Sequence, residues 1–305
     1  MLIRRRTFVA MVVAAGTALV APIRGVAQAE ATMATPTTRT TPQSGYAPVN
    51  GLQMYYEIHG RGEPLVLLHS SFSTIEMWGP FLASLAETHQ VIAVEFQGHG
   101  HTADIDRPLS YEQLADDVAA VMEHLGIEQA DVVGHSIGAD TALQVAIRHP
   151  DRVRKLVPIS GKYRYDGEYP ELLAALQQMT PDIIAGTPYE DAYLRHAPHP
   201  EDFPVLVEKL KALFAKEYAW PEEDIRSIAA PTLLMIGDSD TVRPEHAVAL
   251  FRLLGGGVPG DLVGLPSSQL AILPGTTHQS IVVERADEVV AKIEAFLAAP
   301  MPDAA

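Results

Sequence analysis

The 305-residue chain contains no cysteine. That absence excludes disulfides, thiol nucleophiles and any zinc or iron–sulfur site built on cysteine. Basic residues are scarce as well: 22 lysines and arginines stand against 38 aspartates and glutamates, a formal charge of −16. So acidic a surface repels nucleic acid and anionic lipid, and neither is expected as a partner. It also deters highly charged anionic substrates unless a local basic site intervenes. No internal repeat of roughly 20 to 50 residues is present, which argues against a solenoid. Long apolar runs are missing too. The run that ends at Val20 is shorter than the about 18 residues a membrane-spanning helix needs.

That run has another reading. Arg4-Arg5-Arg6-Thr7-Phe8 precedes it, and Ala27-Gln28-Ala29 follows with small residues where a signal peptidase reads. A basic head, a short apolar middle and A-x-A form a secretory signal, and paired arginines ahead of Phe8 resemble a twin-arginine signal. Residues 1–29 are therefore expected to engage the export machinery and be removed, leaving Glu30 first in a periplasmic or secreted protein. The remainder loses four arginines and no acid, so its formal charge is −20. Residues 30–45, rich in Thr, Pro and Ser without apolar periodicity, read as a disordered tether.

Chemistry enters at Val132-Val133-Gly134-His135-Ser136-Ile137-Gly138, where a β-branched run stops at G-x-S-x-G and a helix-like segment follows. Glycine on both sides of a serine removes the Cβ atoms that would collide in a sharp strand-to-helix turn. A serine so held is a nucleophile elbow, and it needs a base and an acid downstream. Pro231 to Gly237 reads as a buried strand, and Asp238-Ser239-Asp240 offers two carboxylates after it. Leu270 to Leu273 reads as a further strand, with Pro274-Gly275-Thr276-Thr277-His278 as the loop beyond it. Serine, acid and histidine would all sit past the carboxyl ends of strands, which face one crevice in an open parallel sheet.

Strand and helix signals alternate elsewhere too. Tyr46–Val49 and Met54–Ile58 suggest a hairpin around Asn50-Gly51; Leu65–Leu68, Val91–Val94, Ala130–Val133 and Lys155–Ile159 suggest further strands. Ser110 and Gln113 have capping-box spacing for a helix running to about Leu125. The expected class is α/β, a mostly parallel twisted sheet with helices on both faces. Residues 46–161 and 225–299 form its core. Between 162 and 224 the strand signal vanishes, and helix candidates at Pro170–Met179, Tyr189–Arg195 and Phe203–Tyr218 suggest a helical cap.

With these motifs in hand, the chain from Tyr46 to its last helix resembles the α/β-hydrolase superfamily. It is most similar to the small capped members, which include enol-lactonases, carboxylesterases and cofactor-free haloperoxidases. The matching residues are His69, Gln97-Gly98-His99-Gly100, the elbow, Gly237-Asp238-Ser239-Asp240 and Gly275-Thr276-Thr277-His278. The resemblance implies a catalytic triad of Ser136, Asp240 and His278, with Asp240 preferred because the family's acid usually stands three positions after that glycine. It further implies an oxyanion hole from the backbone amides of Ile137 and Ser71. Relatives usually have His-Gly where this chain has His69-Ser70. His69 is expected to brace that loop and Glu95 to organise the next one. Phe72 and Trp78 are the candidates for the wall of an apolar substrate pocket.

Other motifs carry less. His99 with His101, or His196 with His199, lack the companion ligands of a zinc site, which normally has about four. Gly255, Gly257 and Gly260 satisfy G-x-G-x-x-G but follow a helix and enclose Pro259, whereas a dinucleotide site needs strand, loop and then helix. No metal and no organic cofactor is expected. The resulting expectation is a serine hydrolase of a small carboxylic ester or lactone acting through an acyl-enzyme. A perhydrolase using the same triad, and a hydrolase-fold ligand-binding protein, are the alternatives.

Overall fold

The computed structural model describes residues 42–301; the expected signal segment and most of the expected tether lie outside the described residues. Eight strands form one sheet: β1 (Gln43–Val49), β2 (Leu52–Gly60), β3 (Glu63–Leu68), β4 (His89–Val94), β5 (Ala130–His135), β6 (Val153–Ile159), β7 (Leu233–Ser239) and β8 (Gln269–Thr277). Their order is β1-β2-β4-β3-β5-β6-β7-β8. The first hairpin and the β2–β4 pair are antiparallel, and every later pair is parallel.

The first strand starts at Gln43, three residues before the Tyr46 start that the apolar pattern suggests, so 43–45 belong to the sheet rather than to a tether. Backbone pairing is the reason: Gln43, Ser44 and Gly45 face Ile58, Glu57 and Tyr56 across the ladder. At Gly45 the Tyr56 ring crosses over the backbone: a Cβ there would stand 2.7 Å from its hydroxyl and push the ring aside. Asn50 (φ 47°) and Gly51 (φ 88°) make the two-residue turn, both in the left-handed region that such hairpins need.

Between the strands run α1 (Pro80–Leu85), α2 (Tyr111–His124) and α3 (Ile137–Arg148). An insert between β6 and β7 is all helical: α4 (Pro170–Leu176), α5 (Pro181–Ile184), α6 (Pro188–His196), α7 (Phe203–Ala215) and α8 (Glu222–Arg226). Then come α9 (Pro244–Leu253), α10 (Gly260–Val263), α11 (Ser280–Val283) and α12 (Ala286–Ala298). Ser110 caps α2 by accepting a hydrogen bond from the Gln113 amide, 3.2 Å. Only this half of the capping box forms; the Gln113 side chain turns to Asp117 instead.

Each central strand is apolar on both faces, and alternate residues enter different cores. Val66, Leu68, Val132, Leu156, Leu234 and Ile236 pack with α2, α3, α9 and the helical insert. Leu65, Leu67, Val133, Val157, Leu233 and Met235 pack with α1, α11 and α12. Two layers of helix thus clamp the sheet and leave its carboxyl-terminal edge as the place where loops converge.

Topology then fixes which loops meet. The chain runs from β3 outward to β4 and returns across β3 to lay β5 on its other side, so the switch point lies between β3 and β5. Leu68 pairs with Gly134, which sets the loop after β3 beside the elbow after β5. The ends of β6, β7 and β8 follow in order.

Candidate active site

Ser136 sits between β5 and α3 with φ 58° and ψ −121°, a conformation that costs an ordinary residue a few kcal/mol. The surroundings hold it there. Its amide donates to the Ile159 carbonyl, 3.0 Å, so the β5–β6 ladder extends into the turn. A Cβ on Gly134 would lie 2.1 Å from the Gly138 carbonyl oxygen, and one on Gly138 would lie 2.2 Å from that of Leu68. Strand, helix and the neighbouring strand touch backbone to backbone at the two glycines. That contact is why the motif demands them.

His278 comes from the end of β8. Its Nε2 lies 2.9 Å from Ser136 Oγ and its Nδ1 2.7 Å from Asp240 Oδ1. The three side chains that the resemblance groups are therefore brought into one hydrogen-bonded line from positions 136, 240 and 278. Asp240 is buried, and its carboxylate also accepts from Ser160 Oγ (2.5 Å), the Gly237 amide (3.2 Å) and the Val242 amide (3.2 Å). Burial alone would raise the pKa of Asp240. The charge and hydrogen bond of His278, with those from Ser160 and Val242, outweigh it and hold the group well below the usual carboxylate range. For His278, burial opposes the charged form, and the Asp240 carboxylate overrides it to raise the pKa above the ordinary imidazole value.

Asp238 has a different task. It accepts the amides of Gly275 (2.9 Å) and Thr276 (3.2 Å), tying the end of β7 to the end of β8. Both strands run further than the apolar pattern suggests, because this polar stretch keeps pairing: Ser239 faces Thr277, and Pro274–Thr277 is strand rather than loop.

Ile137 opens α3, where helical geometry leaves the amide N–H without an intrahelical acceptor. Ser71 lies in the turn after β3, and among the described residues its amide donates to no protein group. The loop is braced from behind by His69, whose Nδ1–H donates to the Ser70 carbonyl (2.7 Å) while Nε2 accepts from the Phe96 amide (3.0 Å). Full burial lowers the His69 pKa to about 3, so the ring is neutral, as that donor–acceptor pattern requires. Glu95 receives the amides of Ile75 (3.1 Å) and His101 (2.6 Å), knitting the adjoining loops.

The two candidate wall residues part company. Trp78 lines a cavity of about 100 Å³ together with Ser70, His135, Tyr189, Gln279 and Val282. Phe72 is not on that wall. With φ 60°, it packs against Tyr189 of α6 and Phe203 of α7, ring centroids 6.4 and 6.3 Å away, and so seats the helical insert on the loop.

Several site residues escape the sequence reading. Ser160, at the end of β6 with φ 58°, holds the acid in place. His135 accounts for the variable elbow position: its Nε2–H donates to the His278 carbonyl, 2.8 Å, fixing the backbone that carries the base. Burial lowers the pKa of His135 to about 3, leaving it neutral. Lys162, buried where the insert begins, donates through Nζ to Asp140 of α3 (2.9 Å) and faces Glu168 (3.4 Å). Burial opposes its charge, but the two carboxylates keep it protonated. Ser160 and Lys162 have no motif to announce them, and His135 fills the position that the elbow motif leaves open; each acts through a partner distant in sequence.

The sequence profile of the alpha/beta hydrolase fold matches residues 63–220, from β3 through α7. A protein of Azorhizobium caulinodans provisionally named carbamate hydrolase RutD is 30% identical over 237 residues, spanning 70% of this chain and 86% of its own length. A 2-hydroxymuconate semialdehyde hydrolase of Pseudomonas putida is 28% identical over 261 residues, 78% of this chain and 88% of that one. Among solved structures, the enol-lactonase of Burkholderia xenovorans superposes with a TM-score of 0.62 at 25% identity, covering 83% of this chain and 100% of the other. The names differ in the bond that is cut and agree on hydrolysis. By profile, by identity along most of its length and by architecture, the chain belongs to the α/β-hydrolase family and is a hydrolase.

Proposed function

We propose that the protein is a serine hydrolase that cleaves a small, uncharged carboxylic ester or lactone through an acyl-enzyme on Ser136. One observation carries this reading: a single imidazole is bonded on one side to an accessible serine hydroxyl and on the other to a buried, ionised carboxylate. Nothing in a purely structural site calls for that alignment on a strained turn. In the first half-reaction Ser136 Oγ attacks the carbonyl carbon while its proton passes to His278 Nε2. Asp240 accepts from Nδ1–H and stabilises the imidazolium. The amides of Ile137 and Ser71 receive the negative charge that develops on the carbonyl oxygen. Collapse of the tetrahedral intermediate breaks the bond to the alcohol oxygen, which takes the proton from Nε2. Water then repeats the sequence with His278 as base, releasing the acid and restoring Ser136.

The charge preference rests on the cavity walled by Ser70, His135 and Gln279, the chain neighbours of Ser71, Ser136 and His278. Its wall holds no Lys, Arg, Asp or Glu, and its one histidine, His135, is neutral. A carboxylate entering there would shed water and find no counter-charge, a loss of several kcal/mol even after relaxation. Between a neutral ester and an isosteric ester carrying a carboxylate, kcat/KM is expected to favour the neutral one by at least about 10-fold, which corresponds to only about 1.4 kcal/mol of that loss. Steady-state rates on matched pairs of short esters and lactones test this. Equal rates, or preference for the anion, would contradict the charge assignment; turnover of carbamates with none of esters or lactones would contradict the bond assignment.

A further inference from the structure

One hydroxyl outside the Ser136–His278–Asp240 line touches both of its last two groups. Thr241 Oγ1 lies 2.9 Å from His278 Nδ1 and 3.4 Å from Asp240 Oδ1. Asp240 Oδ1 is itself 2.7 Å from the same nitrogen. Two arrangements of hydrogen fit those distances. In one, Nδ1 carries the hydrogen and shares it between the carboxylate and the threonine oxygen. In the other, Nδ1 is bare and accepts from the threonine hydroxyl, which puts the ring's hydrogen on Nε2, facing Ser136. The second sets a carboxylate oxygen and a nitrogen lone pair against each other at 2.7 Å. It also leaves the ring unable to accept the serine proton, so the first arrangement is favoured on both counts.

The main chain fixes where that hydroxyl stands. The Tyr169 amide donates to the Thr241 carbonyl (3.3 Å), Glu168 bridges Val242, and the Arg243 amide donates to the Gly167 carbonyl (2.9 Å). The first turns of the helical insert are thus stitched to the loop that carries both Asp240 and Thr241. The sequence gives no hint of it, since Thr241 follows the motif acid and reads as loop.

We propose that Thr241 is a positioning residue: its oxygen is a second acceptor for the His278 Nδ1–H and holds the ring in the tautomer and plane that leave Nε2 free to take the Ser136 proton, while the segment Gly167–Tyr169 fixes the location of that oxygen. The proposal rests on the serine-hydrolase reading above. Three other groups act on the ring: Asp240 and Glu168 favour its charged form, and Lys162 opposes it; the neutral His135 packs beside it. The threonine oxygen adds a further acceptor whose bond strengthens as the ring becomes charged.

Thr241→Val keeps the branched shape and removes the oxygen, and Thr241→Ser keeps the oxygen. Melting curves of both are expected to match the wild type. The valine variant is expected to lose about 10- to 100-fold in kcat with KM nearly unchanged, the scale of one hydrogen bond to a charged group. Its acid limb in the kcat/KM profile moves to lower pH, and serine restores most of the rate. A valine variant with wild-type kcat and profile overturns the proposal, and so does a serine variant as slow as valine, because shape would then matter and the hydroxyl would not. A fluorophosphonate probe distinguishes failure of the nucleophile from failure of the Thr241 contact. No labelling of Ser136 in the wild type defeats the serine-hydrolase reading itself; wild-type labelling with an equal rate in Thr241→Val defeats the role of Thr241 alone.

Discussion

Ser136→Ala is expected to lower kcat on short p-nitrophenyl esters by at least about 10⁴-fold, while KM changes little. The size of the loss follows from what the substitution removes. Without Oγ no covalent intermediate forms, and His278 has only water to activate, at a distance set for a serine oxygen. The oxyanion amides and the cavity remain, so a residual rate above the uncatalysed one persists. Stability should barely move. Ser136 Oγ has one protein partner among the described residues, His278 Nε2, and alanine keeps the same Cβ on the same strained backbone. Losing one hydrogen bond at a half-buried site shifts the melting temperature of a domain this size by no more than about 3 °C. Calorimetry alongside kinetics therefore separates a lost nucleophile from a lost fold. Retention of more than a tenth of the wild-type rate would remove Ser136 from the chemistry.

Asp240→Asn should cost nearly as much, about 10³- to 10⁴-fold in kcat/KM, for a different reason. The amide is isosteric, and its oxygen, in the place of Oδ2, can still accept from Ser160 Oγ and the Gly237 amide. Its NH₂ group then faces His278 and donates to Nδ1, which forces the ring's own hydrogen onto Nε2 and leaves nothing to accept the serine proton. The pH profile carries a second signature. In the wild type the base must be neutral to act, and Asp240 raises the His278 pKa above its ordinary value. Activity is therefore present at higher pH and lost as pH falls through that raised value. Removing the carboxylate withdraws the charge that raised it, so the acid limb of the asparagine variant moves to lower pH. Thr241→Val moves the limb in the same direction by less. A limb that stays in place in Asp240→Asn would mean that another group sets the titration.

The fold and the three central side chains were readable from the chain because hard sterics and strand ends govern them. Only glycine fits at 134 and 138, and a parallel sheet sends the residues after β5, β7 and β8 to one edge, so type and order of residue gave the serine and the histidine and narrowed the acid to Asp238 or Asp240, between which the family resemblance chose. Apolar periodicity, by contrast, cannot see backbone pairing that continues through polar residues. Gln43–Gly45, Asp238–Ser239 and Pro274–Thr277 all lie in strands for that reason. Phe72 illustrates the limit at the pocket: an aromatic residue beside the oxyanion loop has two uses, wall or seat for the helical insert, and only the positions of Tyr189 and Phe203 decide. Ser160, Thr241 and the Asp140–Lys162–Glu168 cluster were beyond reach because their partners are set by tertiary contact. Two serines with the same φ of 58°, Ser136 and Ser160, follow neighbouring strands; one faces the imidazole and the other the carboxylate behind it.

The most direct measurement is the intact mass of the protein quenched in acid during steady-state turnover of an activated short-chain ester. A population heavier by the acyl group is expected, mapped by fragmentation to the peptide containing Ser136, that disappears when substrate is exhausted and never forms in Ser136→Ala. Full turnover with unmodified protein at every time point, or an acyl group on a different residue, would contradict the acyl-enzyme on Ser136.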